Sequence, residues 1–344
     1  MPTLPLLPTT VIGAAPVPPW LHLAKDHIAQ GRMGEDDIRE LLDDAVRLAL
    51  LDQEEAGIDI LGEGELRRDG YISVAYNIRG LRRLEPRRKA GVFSYDAFVR
   101  MEAVEPITAP VGLGVAREFG FARAHTRNPL KATCPGPVSL MQLIQPGSVY
   151  RDSTEVVQAL IPIVNAELKA LEAAGASFIQ VDEPSYAGFP GTQEGADADR
   201  CVEIFNATVE GVRAKLGLHI CFGNAEGRPA RRRTYRALFP GLLRARADQL
   251  ALEFANREMA EIEIFEQFGD KELGAGVVDV KSFYVERPEE VAERVRALLR
   301  FGPAEKLVLN PDCGFHFTPR HVALAKMRAL VEGVRMVRED ARRA

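Results

Sequence analysis

The sequence is poor in cysteine, tryptophan and histidine, with 4, 1 and 6 of them in 344 residues. Four cysteines are too few for a secreted disulfide scaffold. In a reducing compartment, thiols are more often metal ligands, nucleophiles or packed core residues. This scarcity favours a cytoplasmic protein in which individual cysteines have a chemical role.

Long apolar runs are also missing, since no stretch offers the roughly 18 uninterrupted apolar residues that a membrane-spanning helix needs. The first segment, MPTLPLLPTT, lacks the basic and apolar regions of a signal peptide. The formal net charge of −5 gives no reason to expect nucleic acid or an anionic membrane surface as a partner. A soluble enzyme is therefore the default expectation.

What the chain does have is a regular alternation of helical patterns and short apolar runs, which is typical of a parallel sheet with helices outside it. The helical patterns cover residues 35–56, 153–174, 197–216, 288–299 and 319–337. The candidate strands are residues 9–13, 58–62, 111–115, 130–134, 178–181, 218–222, 250–254, 274–278 and 307–310.

These nine runs exceed by one the eight strands of a closed (β/α)8 barrel. We assign the surplus to a hairpin or extension near residues 82–116. One such barrel commonly fills about 250 residues plus insertions, so a single domain over residues 1–344 is expected.

Acids and metal-ligand residue types follow the ends of these runs. Because the carboxyl ends of parallel strands share one rim of a barrel, we expect them to meet there. They are Glu63, Glu65, Asp182, Glu183, His219, Cys221, Glu253, Asp279, Asp312 and Cys313.

The run LHICFG places His219 and Cys221 two residues apart in a predicted strand, so both side chains point to one face. An imidazole nitrogen and a thiolate suit zinc, which takes four ligands. Glu253 and Cys313, at the ends of two other runs, are candidates for the remaining two. A buried histidine bonded to a carbonyl, beside a packed thiol, would explain the first pair equally well.

Two thiolates, an imidazole and a carboxylate bind zinc tightly but leave it a mild Lewis acid. That mildness suits activation of a thiol, whose pKa of about 8.5 falls when its sulfur binds the metal. These ligand types favour alkyl transfer to sulfur over hydrolysis.

Several segments resemble, in order and spacing, the catalytic domain of cobalamin-independent methionine synthase. They are PTTVIGAAP, QEEAGIDILGEGELRRD, CPGPVSL, QVDEPSYAG, HICFGN, QLALEFANREM, GAGVVDVKS and NPDCGF. The chain is about as long as this catalytic domain alone, so it resembles a short, core form of the family without the duplicated N-terminal half. The resemblance implies a (β/α)8 TIM barrel in which His219, Cys221, Glu253 and Cys313 bind zinc.

The resemblance also implies that Glu65 and Asp182 hold the amino group of homocysteine. A pair of carboxylates is a suitable partner for an ammonium group. The alternative is an acidic barrel mouth paired with Arg67, Arg68 or other bases. Asp312, beside a predicted ligand, would orient that ligand.

Three positions depart from the family pattern. Ala14 stands where a serine would contact the amino acid, and Leu143 stands where a tryptophan would stack on a pterin ring. Lys281 replaces a histidine near the reacting groups. The predicted zinc site is kept while contacts to both organic substrates are altered.

The sequence therefore predicts a zinc-dependent methyltransferase that resembles 5-methyltetrahydropteroyltriglutamate-homocysteine S-methyltransferase and acts on homocysteine or a related small thiol. Lys281, or an acid of the rim such as Asp279, would protonate the leaving group. The expected partners are the thiol substrate and a methyl donor. The donor is either a small molecule or a partner protein that delivers the methyl group. The alternatives are a zinc enzyme that joins another thiol, such as coenzyme M, to an epoxide, and a zinc-stabilised binding protein without turnover.

Two basic segments remain, RRLEPRRK at residues 82–89 and RPARRRTYR at residues 228–236. We interpret both as solvated loops. The alternative for the second segment is a site for the anionic tail of a substrate. His316, three residues after Cys313, is the one further histidine close in sequence to a predicted ligand.

Overall fold

This computed structural model describes residues 4–85, 100–188, 197–224, 227–230 and 233–343, which hold ten strands and eight α-helices. The strands are β1 (Leu61–Gly62), β2 (Arg79–Arg83), β3 (Met101–Thr108), β4 (Leu130–Pro135), β5 (Ile144–Gln145), β6 (Phe178–Asp182), β7 (Lys215–Ile220), β8 (Gln249–Glu253), β9 (Glu272–Val278) and β10 (Leu307–Pro311). The helices are α1 (Pro19–Ala29), α2 (Glu35–Ala56), α3 (Val115–Ala124), α4 (Pro137–Met141), α5 (Ser153–Ala173), α6 (Ala198–Thr208), α7 (Pro288–Leu298) and α8 (Arg320–Arg343).

Seven of the strands form one parallel sheet in the order β1-β4-β6-β7-β8-β9-β10. The segment near the N-terminus joins the two edges of this sheet. Thr9 pairs in parallel with Leu309 of β10, and Thr10 pairs in parallel with Ile60, next to β1. Backbone hydrogen bonds of 2.9 to 3.0 Å accompany both pairings. This short segment at Thr9 and Thr10 takes the place of an eighth strand and closes the sheet, which confirms the predicted TIM barrel.

The helix α2 shows how local sequence sets the outer layer. It spans the predicted residues, and its buried side chains include Val46, Ala49 and Leu50 on one apolar stripe. It ends at Gly57, whose φ of 83° is a left-handed conformation that favours glycine. Among the described residues, no helix combines the length and apolar character needed to cross a membrane.

The predicted helix over residues 197–216 is too long. The helix α6 ends at Thr208, Gly211 takes a left-handed φ of 75°, and β7 begins at Lys215. Gly217, which directly follows the predicted helix in sequence, lies inside β7. A Cβ there would lie 3.2 Å from the ring of Phe178, so close strand packing explains this glycine.

The predicted strand over residues 111–115 is also wrong. Val111 is 78% exposed in a turn, and Val115 already begins α3. A hairpin is nevertheless present, since β2 and β3 are antiparallel. β5 pairs with β3 to complete a second, three-stranded sheet. The prediction of an extension near residues 82–116 is thus confirmed by β2 and β3, while residues 86–99 lie outside the described residues.

The links after β7 and β8 differ from the other crossovers. They carry short 3-10 helices, Gly241–Arg244 and Ile262–Gln267, where other links carry α-helices. The aromatic rings of Phe239, Phe265 and Phe268 pack together behind this side of the barrel. The strands β7 and β8 lead to three of the four predicted metal ligands, His219, Cys221 and Glu253.

Candidate metal centre and amine pocket

The end of β7 carries the centre of the site. His219 lies in β7 and Cys221 directly follows it, and both are buried. Cys313 belongs to the loop after β10. One ligand atom from each of the three lies within 4.8 Å of the other two, and the two sulfurs are 3.5 Å apart. Strand alternation therefore places His219 and Cys221 on one face, and the closed barrel adds Cys313.

Glu253, the fourth predicted ligand, ends β8 and is fully buried. Its Oε2 accepts hydrogen bonds from the ammonium of Lys281 at 2.8 Å and from the amide of Phe222 at 3.1 Å. In the described part of the chain, Glu253 is not among the ligand atoms grouped within 4.8 Å. The structure thus gathers three predicted ligands and places the fourth in an ion pair with a lysine.

The available donor atoms fit a zinc ion. Nε2 of His219 and Oε1 of Glu253 are buried and have no hydrogen-bond partner among the described residues. A buried polar atom without a partner is costly, and a bound cation removes that cost. One nitrogen, two sulfurs and a carboxylate oxygen are ligand types that zinc prefers. A zinc ion would satisfy atoms that have no partner among the described residues.

The sulfurs of Cys221 and Cys313 lie within hydrogen-bonding distance of each other. Their mutual hydrogen bond lowers the pKa of Cys313 to about 6, and the positive charge of Lys281 also lowers it against the effect of burial. The same hydrogen bond, followed by burial, raises the pKa of the Cys221 thiol well above its usual value. The shifts are opposite because one sulfur of the pair donates the hydrogen bond and the other accepts it. The pair therefore gives up its first proton more easily than an isolated buried thiol would.

The predicted amine pocket contains Glu65 and Asp182, both buried. Oε1 of Glu65 accepts a 2.8 Å hydrogen bond from the hydroxyl of Thr133, and its Oε2 has no partner among the described residues. Gly13 packs so closely against this carboxylate that a Cβ on Gly13 would lie 2.6 Å from Oε1. The glycine of the IGA segment is therefore required by the close approach of Glu65.

Arg68 is the counter-ion of this acidic region. It is buried and pairs with Glu63 at 3.0 Å, Glu65 at 3.5 Å and Glu118 at 2.7 Å. Burial nevertheless raises the pKa of Glu65 to about 8, with Arg68 opposing and the charge of Asp182 reinforcing the rise. The alternative of an acidic mouth paired with Arg68 is thus partly realised, but one oxygen of Glu65 stays unpaired.

Lys281 follows β9 and is buried against Glu253, with a side-chain exposure of 1%. Burial alone would lower the pKa of Lys281, but the charges of Glu253, Cys313 and Cys221 outweigh it and raise the pKa. Asp279 accepts a 2.8 Å hydrogen bond from the backbone amide of Lys281. Lys281 is therefore a charged residue beside the metal ligands, and Asp279 fixes its backbone.

Ala14 and Leu143 occupy different surroundings. Ala14 packs against Gly314, next to Cys313, and its carbonyl accepts a 2.7 Å hydrogen bond from the amide of Phe315. Leu143 is buried in the main apolar core, and its carbonyl accepts a 2.7 Å hydrogen bond from Met101 of the second sheet. Ala14 thus borders the metal centre, whereas Leu143 supports the hairpin.

Asp312 ties two ligand-bearing loops together. Its carboxylate accepts backbone hydrogen bonds of 3.0, 2.9 and 2.6 Å from Phe254, Ala255 and Asn256, which follow Glu253. Asp312 also precedes Cys313 in the chain. It therefore holds the loop after β8 against the loop after β10, as expected of a residue that orients a ligand.

Two tyrosines near the site were missed in the sequence. The hydroxyl of Tyr235 bonds to the carbonyl of Ile220 at 3.0 Å and accepts from the amide of Glu253 at 2.8 Å. Burial, and then the negative charge of Cys221, raise the pKa of Tyr71. The only signal for Tyr235 was an aromatic residue inside a basic segment, and Tyr71 follows the segment that carries Glu65.

The described parts of the two basic segments contain two arginines that contact neighbouring loop residues. Parts of both, residues 86–89 and 231–232, lie outside the described residues. Arg233 bonds to the carbonyl of Asn256 at 2.9 Å, and Arg236 pairs with Glu261 at 3.5 Å. His316 is half-buried against Phe317, and burial, followed by the charge of Lys25, lowers its pKa to about 4.

Comparisons with known proteins agree with this geometry. A family model described as the catalytic domain of cobalamin-independent synthase matches residues 7–335. A methionine synthase from Saccharolobus solfataricus is 36% identical over 350 residues, covering 100% of this chain and 98% of that protein. A methionine synthase from Sulfurisphaera tokodaii is 33% identical over 346 residues, covering 99% and 95%.

Solved structures show the same fold. A B12-independent methionine synthase from Shewanella sp. W3-18-1, in complex with selenomethionine, is similar with a TM-score of 0.84 and 26% identity, covering 99% of this chain and 100% of that one. A putative vitamin-B12-independent methionine synthase from Listeria monocytogenes has a TM-score of 0.69 at 19% identity, covering 97% and 99%, and shows the fold alone.

Proposed function

The chain belongs to the family of cobalamin-independent synthase catalytic domains, and we propose that it is a zinc-dependent methyltransferase that methylates the thiol of homocysteine or a related small amino-acid thiol. The observation that carries this proposal is the meeting of two kinds of site at one rim. Three metal-type side chains converge within 4.8 Å, and a buried carboxylate with an unpaired oxygen lies in the same barrel interior.

We assign zinc to His219, Cys221, Cys313 and Glu253, as the unpaired Nε2 and Oε1 atoms support. When bound, zinc would lower the pKa of the substrate thiol so that the thiolate forms at neutral pH. Lys281 already competes for Glu253 through its 2.8 Å ion pair. Glu253 is therefore the ligand most easily released when the substrate sulfur arrives.

We assign the amine pocket to Glu65 and Asp182. The free Oε2 of Glu65 and the buried carboxylate of Asp182 are acceptors for an ammonium group. The Shewanella relative was solved in complex with selenomethionine, an amino acid with both an ammonium group and a methylated chalcogen. That complex supports an amino-acid thiol here over a sulfonate thiol such as coenzyme M.

The transfer itself needs few groups from the chain. The substrate thiolate attacks the methyl carbon, the new carbon–sulfur bond forms as the bond to the donor breaks, and the leaving atom takes a proton. Lys281 is the proposed proton source because it is a charged, buried donor at the rim. Asp279 positions Lys281 through the backbone amide. Holding both reactants in the barrel mouth supplies the orientation that such a reaction requires.

The donor is a methylated small molecule or a methyl-carrying partner protein, and the buried position of Leu143 gives no support to a stacked pterin. All four cysteines are free thiols. They suit a reducing compartment, so we place the protein in the cytoplasm, with residues 1–344 acting as one catalytic domain.

Elemental analysis and a cobalt-substituted spectrum test this proposal. Protein purified without chelators should contain stoichiometric zinc, and its cobalt form should change spectrum with homocysteine and not with coenzyme M. Cys313→Ser should lose zinc and activity while its circular dichroism is unchanged. Cys201→Ser, a change at a buried cysteine of α6, is the matched control and should keep both. Absence of stoichiometric zinc in the unaltered protein would overturn the proposal.

A further inference from the structure

A chain of buried hydrogen bonds runs through the barrel interior to the metal centre. Lys131 of β4 donates to Oε1 of Gln180 at 2.5 Å, and Nε2 of Gln180 donates to Oδ1 of Asp182 at 2.6 Å. The same Oδ1 lies 2.8 Å from Nδ1 of His219. All four residues are at most 5% exposed. Lys131 and Gln180 have no role in the function proposed above.

We propose that Lys131 and Gln180 are positioning residues, which fix Asp182 so that His219 presents Nε2 to the metal while Asp182 keeps Oδ2 for the substrate amine. This inference rests on the proposed function, because it names the residues that prepare both halves of that site. It extends the site from its rim into the interior of the barrel.

The orientation of the Gln180 amide is decided by its partners. Lys131 donates to the carbonyl of Val11 and to the amide oxygen of Gln180, so this oxygen faces the lysine. On the other side, the carbonyl of Ile12, at 3.0 Å, and the carboxylate of Asp182 only accept, so the amide nitrogen must face them. Every partner agrees on one orientation. Gln180 is thereby a fixed donor to Asp182.

The two oxygens of Asp182 then have different tasks. Oδ1 accepts from Gln180 and from His219, which occupies it fully. Among the described residues, both hydrogen bonds of the Asp182 carboxylate are made by Oδ1, which leaves Oδ2 for an ammonium group. Without the donor on Gln180, the carboxylate would be free to rotate and exchange its two oxygens. The positioning therefore separates the metal-orienting oxygen from the substrate-binding oxygen.

The bond to Asp182 also selects the form of His219. Because a carboxylate accepts, Nδ1 must carry the hydrogen, and Nε2 has the lone pair. That Nε2 is buried and has no protein partner in the described part of the chain. A carboxylate that orients a metal-binding histidine in this way raises its basicity and fixes its ring.

Lys131 is an expensive residue to bury for structure alone. It is fully buried, and within the described residues no carboxylate lies within ion-pair distance of it. Its bonds go to Gln180 and to the carbonyl of Val11 at 2.6 Å. Burial lowers the pKa of Lys131 to about 7 against the opposing charge of Asp182, so this environment disfavours the charged form of the side chain. A positioning role for Gln180 and, through it, for Asp182 accounts for its presence.

Zinc affinity and homocysteine kinetics test the inference in the full chain. Gln180→Met removes the donor to Asp182 but keeps the side-chain length. We expect its zinc affinity, measured by competition with a chromogenic chelator in the absence of substrate, to fall about 10- to 100-fold. The KM for homocysteine should rise by a larger factor than kcat falls, because the amine-binding oxygen is no longer fixed.

Gln249→Met is the matched control. Gln249 is an equally buried glutamine of β8 that bonds to Glu272 at 2.9 Å, away from Asp182. It should lose stability without a change in zinc affinity or in the KM for homocysteine. If Gln180→Met and Gln249→Met have the same zinc affinity and the same KM, the inference is wrong while the proposed function stands.

Lys131→Met provides a second, independent variant should Gln180→Met fail to fold. It keeps Gln180 but frees its amide to turn, so zinc affinity should fall and the KM for homocysteine should rise in the same direction. Unchanged values for Lys131→Met would overturn the inference. A lack of zinc in the unaltered protein is a different result, because it removes the proposed function itself.

Discussion

Side chains at the rim divide the proposed work between binding a metal and binding an amine. His219 and the two cysteines offer nitrogen and sulfur, whereas Glu65 offers a carboxylate oxygen without a partner among the described residues. These preferences follow from residue chemistry, because soft sulfur suits zinc and a carboxylate suits an ammonium group. Each group is also buried, so its charge depends strongly on its neighbours.

Glu65 gives a prediction about pH. Because burial raises the pKa of Glu65 to about 8, the carboxylate is increasingly ionised as the pH rises through that value. An ammonium group binds the ionised form, so the KM for homocysteine should fall from about pH 6.5 to about pH 8.5, centred on the raised pKa. Glu65→Gln should remove this dependence and raise the KM about 10- to 100-fold, which corresponds to one charge-assisted hydrogen bond.

A thiol without the amino group, 4-mercaptobutyrate, is the control for this measurement. Its KM should not follow the ionisation of Glu65, and Glu65→Gln should affect it little. An equal loss for both thiols would show that Glu65 supports the fold or the metal and does not bind the amine.

The partners of individual residues were less predictable than their types. The sequence identified Glu253 and Lys281 as rim residues but not their 2.8 Å ion pair. They are separated by 28 residues, and only the pairing of neighbouring strand ends brings them together. Similarly, no local pattern indicates that Gln180 bonds to Lys131, because both lie inside runs that read as ordinary strands.

At the scale of elements, the loops after β7, β8 and β10 must keep fixed positions relative to one another if they hold the proposed metal ligands. Asp312 joins the last two through three backbone amides. Tyr235 joins the first two by bonding to the carbonyl of Ile220 and the amide of Glu253. The loops are thus fixed by side chains rather than by a continued sheet.

Tyr235→Phe tests this brace. The change leaves the buried amide of Glu253 without its acceptor, so the free energy of unfolding of the zinc-free protein should fall by about 1 to 3 kcal/mol. Urea denaturation followed by circular dichroism measures it.

Tyr186→Phe is the comparison for this variant. Tyr186 is equally buried, but its hydroxyl has no hydrogen-bond partner among the described residues. Its removal should cost little or should stabilise the protein. Equal losses in the two variants would mean that the hydroxyl of Tyr235 does not brace the loops.

Element prediction succeeded where a local signal was complete. The stripe of α2 and its terminating Gly57 lie within one segment, and the helix has the predicted bounds. It failed at the end of α6 and at residues 111–115. After α6, both Gly211 and Gly217 are candidates for the residue that ends the helix. At residues 111–115, the strand and helix patterns are both weak. Tertiary packing decides between the alternatives at both places.

At the scale of the whole molecule, the barrel is closed by backbone pairing at Thr9 and Thr10. The proposed metal centre joins only one sector of this ring, the ends of β7 and β8 and the loop after β10. The two bridges at Thr9 and Thr10 involve Leu309 and Ile60, which are not proposed ligands. The fold should therefore persist when zinc is removed, although with lower stability.

Chelation provides the measurement. The chelated protein should keep its far-ultraviolet circular dichroism and unfold cooperatively, while free zinc at about 1,000 times its dissociation constant should add about 4 kcal/mol to the free energy of unfolding. Loss of the native spectrum on chelation would instead favour a zinc-stabilised binding protein. Restored activity on adding zinc back would complete the expected result.

The sequence by itself determined the alternation of strands and helices and the residue types at the strand ends. It also supplied the motifs that identify the family, because these are properties of short segments. Only the tertiary structure decided which distant parts of the chain contact one another. These contacts are the N-terminal segment that closes the barrel, the ion pair between Lys281 and Glu253, and the buried hydrogen bonds that connect Lys131 to His219. Such contacts depend on strand register and barrel closure, which bring together residues that are far apart in the chain.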